Sequence, residues 1–217
     1  MGSRILHQRN VLLKKKEVPL ATLHYLPSIA FFSAIAKAQT LTLEQFDRWQ
    51  KASFRNRTNI STANGLQTLS IPLVGGRGQK GLYREVQICY TENWQHQHWQ
   101  SIVSAYQSAP FFEHYAPYFE PLYKKETILL FDFNLALFDL LLRFCKLDIT
   151  ISFSHEYQKE NIEELDLRTQ FLPNKTKEII LPYHQVFEEK NGFIADVSVL
   201  DLLFNEGPQA GNYLKIK

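Results

Sequence analysis

With 217 residues, 45% of them hydrophobic, the chain is long enough for one ordinary domain with a sizeable core. Its 24 basic and 22 acidic residues leave a net charge of only +2, which argues against a nucleic-acid-binding surface as the main business of the fold. Sixteen Phe, ten Tyr and three Trp favour rigid pocket walls over a disordered or fibrous chain, while two cysteines, read as buried free thiols without metal-ligand spacing, fit a reducing, cytoplasmic compartment.

Residues 1–19 mix cations with a short apolar run and read as an arm or edge element, too short in apolar content for a signal peptide. Ala21 to Leu26 is predicted as a strand, broken by Pro27, with Ser28 placed to cap a helix through Lys37. Thr40 to Leu43 follows as a second strand. Strand, turn, helix, strand is a βαβ unit, whose ligand space lies at the carboxyl end of the first strand, where His24 and Tyr25 sit.

The next stretch, Lys51 to Pro72, sets three cations and several amides beside two short strand-like runs. If Arg57 begins an extended run, the period of two puts Arg55, Arg57 and Asn59 on one side. Paired guanidinium forks suit carboxylate or phosphate oxygens, and the competing reading is an edge strand protected by its charges. Alternation then predicts half-buried strands at 69–73 and 86–90, joined by GGRGQKG. A strand follows that glycine-rich run where a phosphate loop would lead into a helix, so it reads mostly as a hairpin loop.

Asn93 is predicted to cap a helix to about Gln107 with Trp99, Ile102, Val103 and Tyr106 on one stripe. A segment led by Pro110 follows, kinked or divided by Pro117 and Pro121. Thr127 to Leu147 has the length of a membrane span, but Asp132, Asp139, Arg143 and Lys146 recur on one stripe, so it is an amphipathic helix over a core. Strand signals return at 149–153, 178–181 and 184–187. Ser198 then opens a helix with Asp201 as an approximate capping box, stopped by Gly207 and Pro208. The expected fold is α/β (mixed α+β): a single domain over 1–217, with one mixed β-sheet that starts with the βαβ unit and a central all-helical section packed on it.

Chemistry-bearing candidates are few. His96 and His98 lie two apart on a helix and cannot jointly hold a metal. His98 borders the aromatic stripe and is a candidate acid or base, as is His24 at the βα corner. Lys51 can hold an anion. Asn134 lies on the apolar face of the long helix, where it fixes a ligand or ties helices together. No nucleophile elbow, zinc motif, Walker loop or dinucleotide fingerprint occurs, so no cofactor or metal is expected.

The ordered set HYLPSIAFF, QKASFRNRTNI, LSIPL, HWQSIVSAYQSAPFFEHY and LFDFNLAL resembles the WbqC-like proteins. Pro27 and Phe32 match their first motif; Lys51, Asn56, Arg57 and Ile60 the second; His98, Tyr106, Pro110 and Phe112 the helical one; Asn134 the one on the long helix. The chain departs from the pattern with Leu23, His24 and Ala30, and with Gln45 and Phe46 in place of an acidic pair. The resemblance implies a role in bacterial surface-polysaccharide (O-antigen) biosynthesis, transferring glycine or another aminoacyl or acyl group to a nucleotide-linked sugar. In that reading Lys51 and Arg57 bind phosphate or carboxylate, Asn56, Tyr25 and Asn134 contact substrate, and His98 or His24 is the base. The alternative is a non-catalytic binding or assembly protein with an aromatic-lined anion pocket. Partners are then a small anionic molecule such as a nucleotide sugar, with no nucleic acid and no membrane span.

Overall fold

A computed structural model describes residues 18–157, 164–173 and 180–216. Residues 1–17 of the expected arm and 178–179 of the strand expected at 178–181 lie outside them, and Ile180 and Leu181 are not in a strand. The βαβ unit is present: β1 (Val18–Thr22), α1 (Ile29–Ile35) and β2 (Thr40–Glu44), with β1 and β2 parallel in the register Leu20↔Thr42. Pro19 precedes the first β2 partner, so its missing N–H breaks no bond of that ladder. Ser28 is extended, and its hydroxyl accepts the Phe31 N–H at 3.3 Å.

The strand ends at Thr22, four residues earlier than its apolar run. The chain from Leu23 leaves the sheet because its polar groups are met elsewhere: the Tyr25 N–H donates to the Phe54 carbonyl at 2.9 Å and the Leu26 carbonyl accepts from the Thr58 hydroxyl at 2.8 Å. Leu26 is left-handed (φ 41°) before Pro27. These bonds draw residues 51–58 over the carboxyl end of β1.

The strands form two sheets rather than one mixed sheet. β5 (Thr150–Phe153) joins β2, and β6 (Glu164–Asp166) joins β1, giving the all-parallel order β5-β2-β1-β6. The hairpin β3 (Arg57–Thr62) and β4 (Gly65–Ser70) is antiparallel from Arg57↔Ser70 to Thr62↔Gly65, and Gly65 supplies the positive φ (90°) of its turn. Residues 86–90 make isolated bridges, Leu73↔Ile88 and Gln87↔Leu129, instead of a strand, because successive residues face different partners.

Helices α2 (Trp94–Tyr106), α3 (Phe112–Lys124) and α4 (Leu130–Phe144) make the central helical section. The side chain of Asn93 does not cap α2. α3 runs unbroken through Pro117 and Pro121; both are exposed, so the carbonyls four residues before them, which lose their donors, lie on the face water can reach. On α4 the predicted apolar face is buried from Leu130 to Leu141 and the charged stripe is exposed. Cys145 is buried as expected, whereas Cys89 is half-buried, its sulfur 3.3 Å from the Thr91 hydroxyl.

The C-terminal part carries α5 (Glu188–Asn191), α6 (Val199–Glu206) and α7 (Ala210–Leu214). Residues 184–187 are loop and turn, not strand. Ser198 caps α6 through the Leu200 N–H, while Asp201 turns away from the cap to accept from Tyr183 Oη at 2.6 Å. No helix of the described residues is long and apolar enough to cross a membrane.

Candidate functional site

The segment from Lys51 to Arg57 is held from several sides. The Ser53 hydroxyl donates to the Gln50 carbonyl, and Asn134 on α4 donates through Nδ2 to the Arg55 carbonyl at 2.7 Å. The Asn56 N–H donor set is matched to the first residue after β4: its Nδ2 donates to the Ile71 carbonyl and its own carbonyl accepts the Ile71 N–H, both at 2.8 Å. Ala52 sits in the left-handed region (φ 52°), at a cost of about 1 kcal/mol that only an over-determined surrounding sustains.

Arg55 and Arg57 do not point the same way. The regular strand starts at Arg57, so the period of two does not reach back to Arg55, which is buried. The Arg55 guanidinium pairs with Asp47, donates to the Arg48 carbonyl at 2.6 Å and lies 5.2 Å from the centre of the Tyr83 ring. It is a bolt of the loop. Arg57 is exposed, and so is Lys51.

Between this loop, the end of β4 and the glycine-rich run lies a cleft of about 460 Å³. Lys51, Asn56 and Arg57 line it together with Trp49, Ser70 and the strip Ile71 to Leu73. Among the described residues, no carboxylate lines the cleft, and neither the Lys51 nor the Arg57 side chain makes an ion pair or hydrogen bond. Asn56 has Nδ2 committed to Ile71, which leaves Oδ1 as its uncommitted acceptor. Gly76 forms part of the rim, but the loop spends its own donors internally, Gly76 N–H on Leu73 and Gly78 N–H on Gly75. It is therefore no phosphate cradle, in keeping with the hairpin-loop reading.

The remaining candidates stand behind the cleft wall. Tyr25 and His98 are buried, with Tyr25 Oη 2.9 Å from His98 Nδ1 and 2.8 Å from Tyr123 Oη. The Ser70 backbone is the other polar neighbour of the imidazole. That connectivity is met by Tyr25 donating to Nδ1 and the ring donating to Ser70. Burial lowers the His98 pKa to about 4, against the pull of the Ser70 backbone. His24 packs at 4.8 Å on Phe31 and 5.9 Å on Phe54, and burial first, then the Arg55 charge, lowers its pKa to about 3. Asn134 is fully buried and gives its second N–H to Tyr83 Oη at 2.8 Å, which in turn donates to the Leu23 carbonyl. It ties the long helix to the loop and to the end of β1.

The structure thus gathers Lys51, Asn56 and Arg57, and sets His24, Tyr25, His98 and Asn134 in their support. Trp49 and Tyr83 escape the sequence reading: each lies in a segment without regular periodicity, and only the pairing of Arg48 with Leu82 brings the two together, at 6.1 Å between rings.

Comparison with known proteins bears on the same stretch. A profile described as the WbqC-like protein family matches residues 23–174, which include the loop, the cleft and the buttressing helices. The chain belongs to the WbqC-like protein family. It is also similar to an uncharacterized protein of Mycobacterium tuberculosis, Rv1507c, at 27% identity over 235 aligned positions that cover 92% of this chain and 98% of that protein. No solved structure matches. Within this WbqC-like chain, the matched range holds Lys51, Asn56 and Arg57, which line the cleft, and the buried His98 and Asn134 on the helices.

Proposed function

We propose that this WbqC-like protein is a transferase that moves an aminoacyl or acyl group onto a sugar in bacterial surface-polysaccharide (O-antigen) biosynthesis, with the cleft as the seat of an anionic substrate. The reaction class follows from the family resemblance. The observation that supports the seat is the cleft itself: two cations without protein partners, an amide acceptor and no carboxylate among the described lining residues, all on a loop fixed by buried bonds. A fixed loop keeps its donors aimed before the ligand arrives, which lowers the ordering cost of binding. Acyl transfer also needs a base near the acceptor. His24 and His98 are both neutral at physiological pH, and His24 makes no hydrogen bond among the described residues.

A second reading, a non-catalytic binding or assembly protein, is favoured by the same histidines. A base with a pKa of about 3 or 4 is poorly matched to proton transfer near neutrality. Complementation of a deletion strain, with mass analysis of its surface glycan, separates the two. Under the transferase reading the wild-type gene restores a substituent that the Lys51→Ala/Arg57→Ala double variant does not, at equal protein levels. Full restoration by the double variant sinks the cleft as the substrate seat. A glycan composition that never depends on the gene leaves the binding reading standing.

A further inference from the structure

An aminoacyl transfer joins an amino acid, activated at its carboxyl group by a carrier that leaves, to a phosphorylated sugar, and the cleft discriminates between the bare amino acid and a phosphorylated, ring-bearing molecule. We infer that it takes the phosphorylated, ring-bearing reactant and that the amino acid enters elsewhere; this rests on the reading of the cleft as a substrate seat.

Charge is the first ground. Lys51 and Arg57 present two positive charges, and no carboxylate among the described residues lines the cleft. A free amino acid would gain from its carboxylate and lose from its ammonium, which would face two cations with no anion to receive it. A phosphoryl or diphosphoryl dianion gains from both cations, and a guanidinium fork matches its oxygens. Shape is the second. The half-buried Trp49, Pro72 and Leu73 offer an apolar face beside the cations, a surface that a ring can cover and glycine cannot. At about 460 Å³ the cleft is scaled to a drug-sized molecule rather than to a two-carbon acid. The third is Asn56, whose free Oδ1 accepts from a hydroxyl or ring N–H while its Nδ2 is spent on Ile71. Dianion, ring face and hydrogen-bond donor in one molecule describe a nucleoside diphosphate or its sugar ester.

Trp49 gives a direct readout. Trp94 and Trp99 are 2% and 9% exposed, so acrylamide quenching of the protein's fluorescence reports mainly on half-buried Trp49. The probes are uridine diphosphate, inorganic pyrophosphate and glycine, titrated against the full chain. Uridine diphosphate is expected to shield Trp49 and raise the melting temperature, with pyrophosphate about tenfold weaker for want of the ring contact and glycine without effect. Arg57→Ala and Lys51→Ala, both at exposed positions that leave the fold intact, should each weaken uridine diphosphate about tenfold. Trp49→Leu should weaken uridine diphosphate and not pyrophosphate. Pyrophosphate binding as tightly as uridine diphosphate overturns the ring contact while the anion seat stands, and glycine binding that Arg57→Ala abolishes assigns the cleft to the amino acid instead. If no probe binds in an Arg57-dependent way, the substrate-seat reading falls together with this one.

Discussion

Mild acid is expected to weaken this protein through His24 and His98. In the unfolded chain both imidazoles take a proton near pH 6.5; folded, His98 resists down to about 4 and His24 down to about 3. Between those values the unfolded state binds more protons, so stability falls as pH falls. At a pH of about 4.5 each histidine has cost about 3 kcal/mol, at 1.36 kcal/mol per tenfold change in proton activity. Asp201 opposes them. Burial raises its pKa to about 6, so the folded state takes that proton first and recovers about 2 kcal/mol over the same interval. The net loss is about 3 to 4 kcal/mol, a large share of the usual 5–15 kcal/mol of a domain. Urea midpoints measured at a pH of about 7.5 and of about 4.5 read it directly. In His98→Gln the amide can still accept from Tyr25 and donate toward Ser70 but does not titrate, so its acid loss should be roughly halved or better. Equal midpoints at the two pH values in the wild type, or an unchanged loss in His98→Gln, would refute the burial argument.

Asn134→Leu keeps the volume of a fully buried side chain but leaves the Arg55 carbonyl and one face of the Tyr83 hydroxyl unmet; a loss of about 2–4 kcal/mol in chemical unfolding is expected, with weaker ligand binding at the cleft beyond what stability explains. Asp201→Asn keeps an acceptor for Tyr183, Gln185 and Asn205 and removes a buried charge. The wild type loses stability as pH rises from about 4 to about 6, so the variant should be the more stable by up to about 3 kcal/mol at a pH of about 8 and equal to it below pH 4. A melting curve that shows no gain at the higher pH counts against the raised pKa. Gly211→Ala would drive its Cβ onto the Cys145 carbonyl oxygen, a backbone atom that cannot step aside, and is expected to lower the melting temperature by about 10 °C or to abolish soluble expression.

Features that depend on local pattern were legible from the residues alone. Alternation and the Pro27–Ser28 pair marked the βαβ unit, helical periodicity marked α4 with its charged stripe, and the ordered motifs marked the family. Lys51, Asn56 and Arg57 were legible as a local cluster of two cations and an amide that the resemblance to the family's motif singles out. Tertiary structure decided which of the polar candidates open into the cleft and which are buried behind it. Arg55 is two residues from Arg57 and chemically identical to it, yet it is turned inward by Asp47 and Tyr83. Asn134 and Tyr25 are drawn into the core by partners 79 and 73 residues away, Arg55 and His98. Trp49 becomes a cleft wall because a distant strand end and a turn close around it. Burial and long-range hydrogen bonding are properties of the whole chain's packing, so they sort side chains of one type into seats and supports, and no spacing rule carries that information.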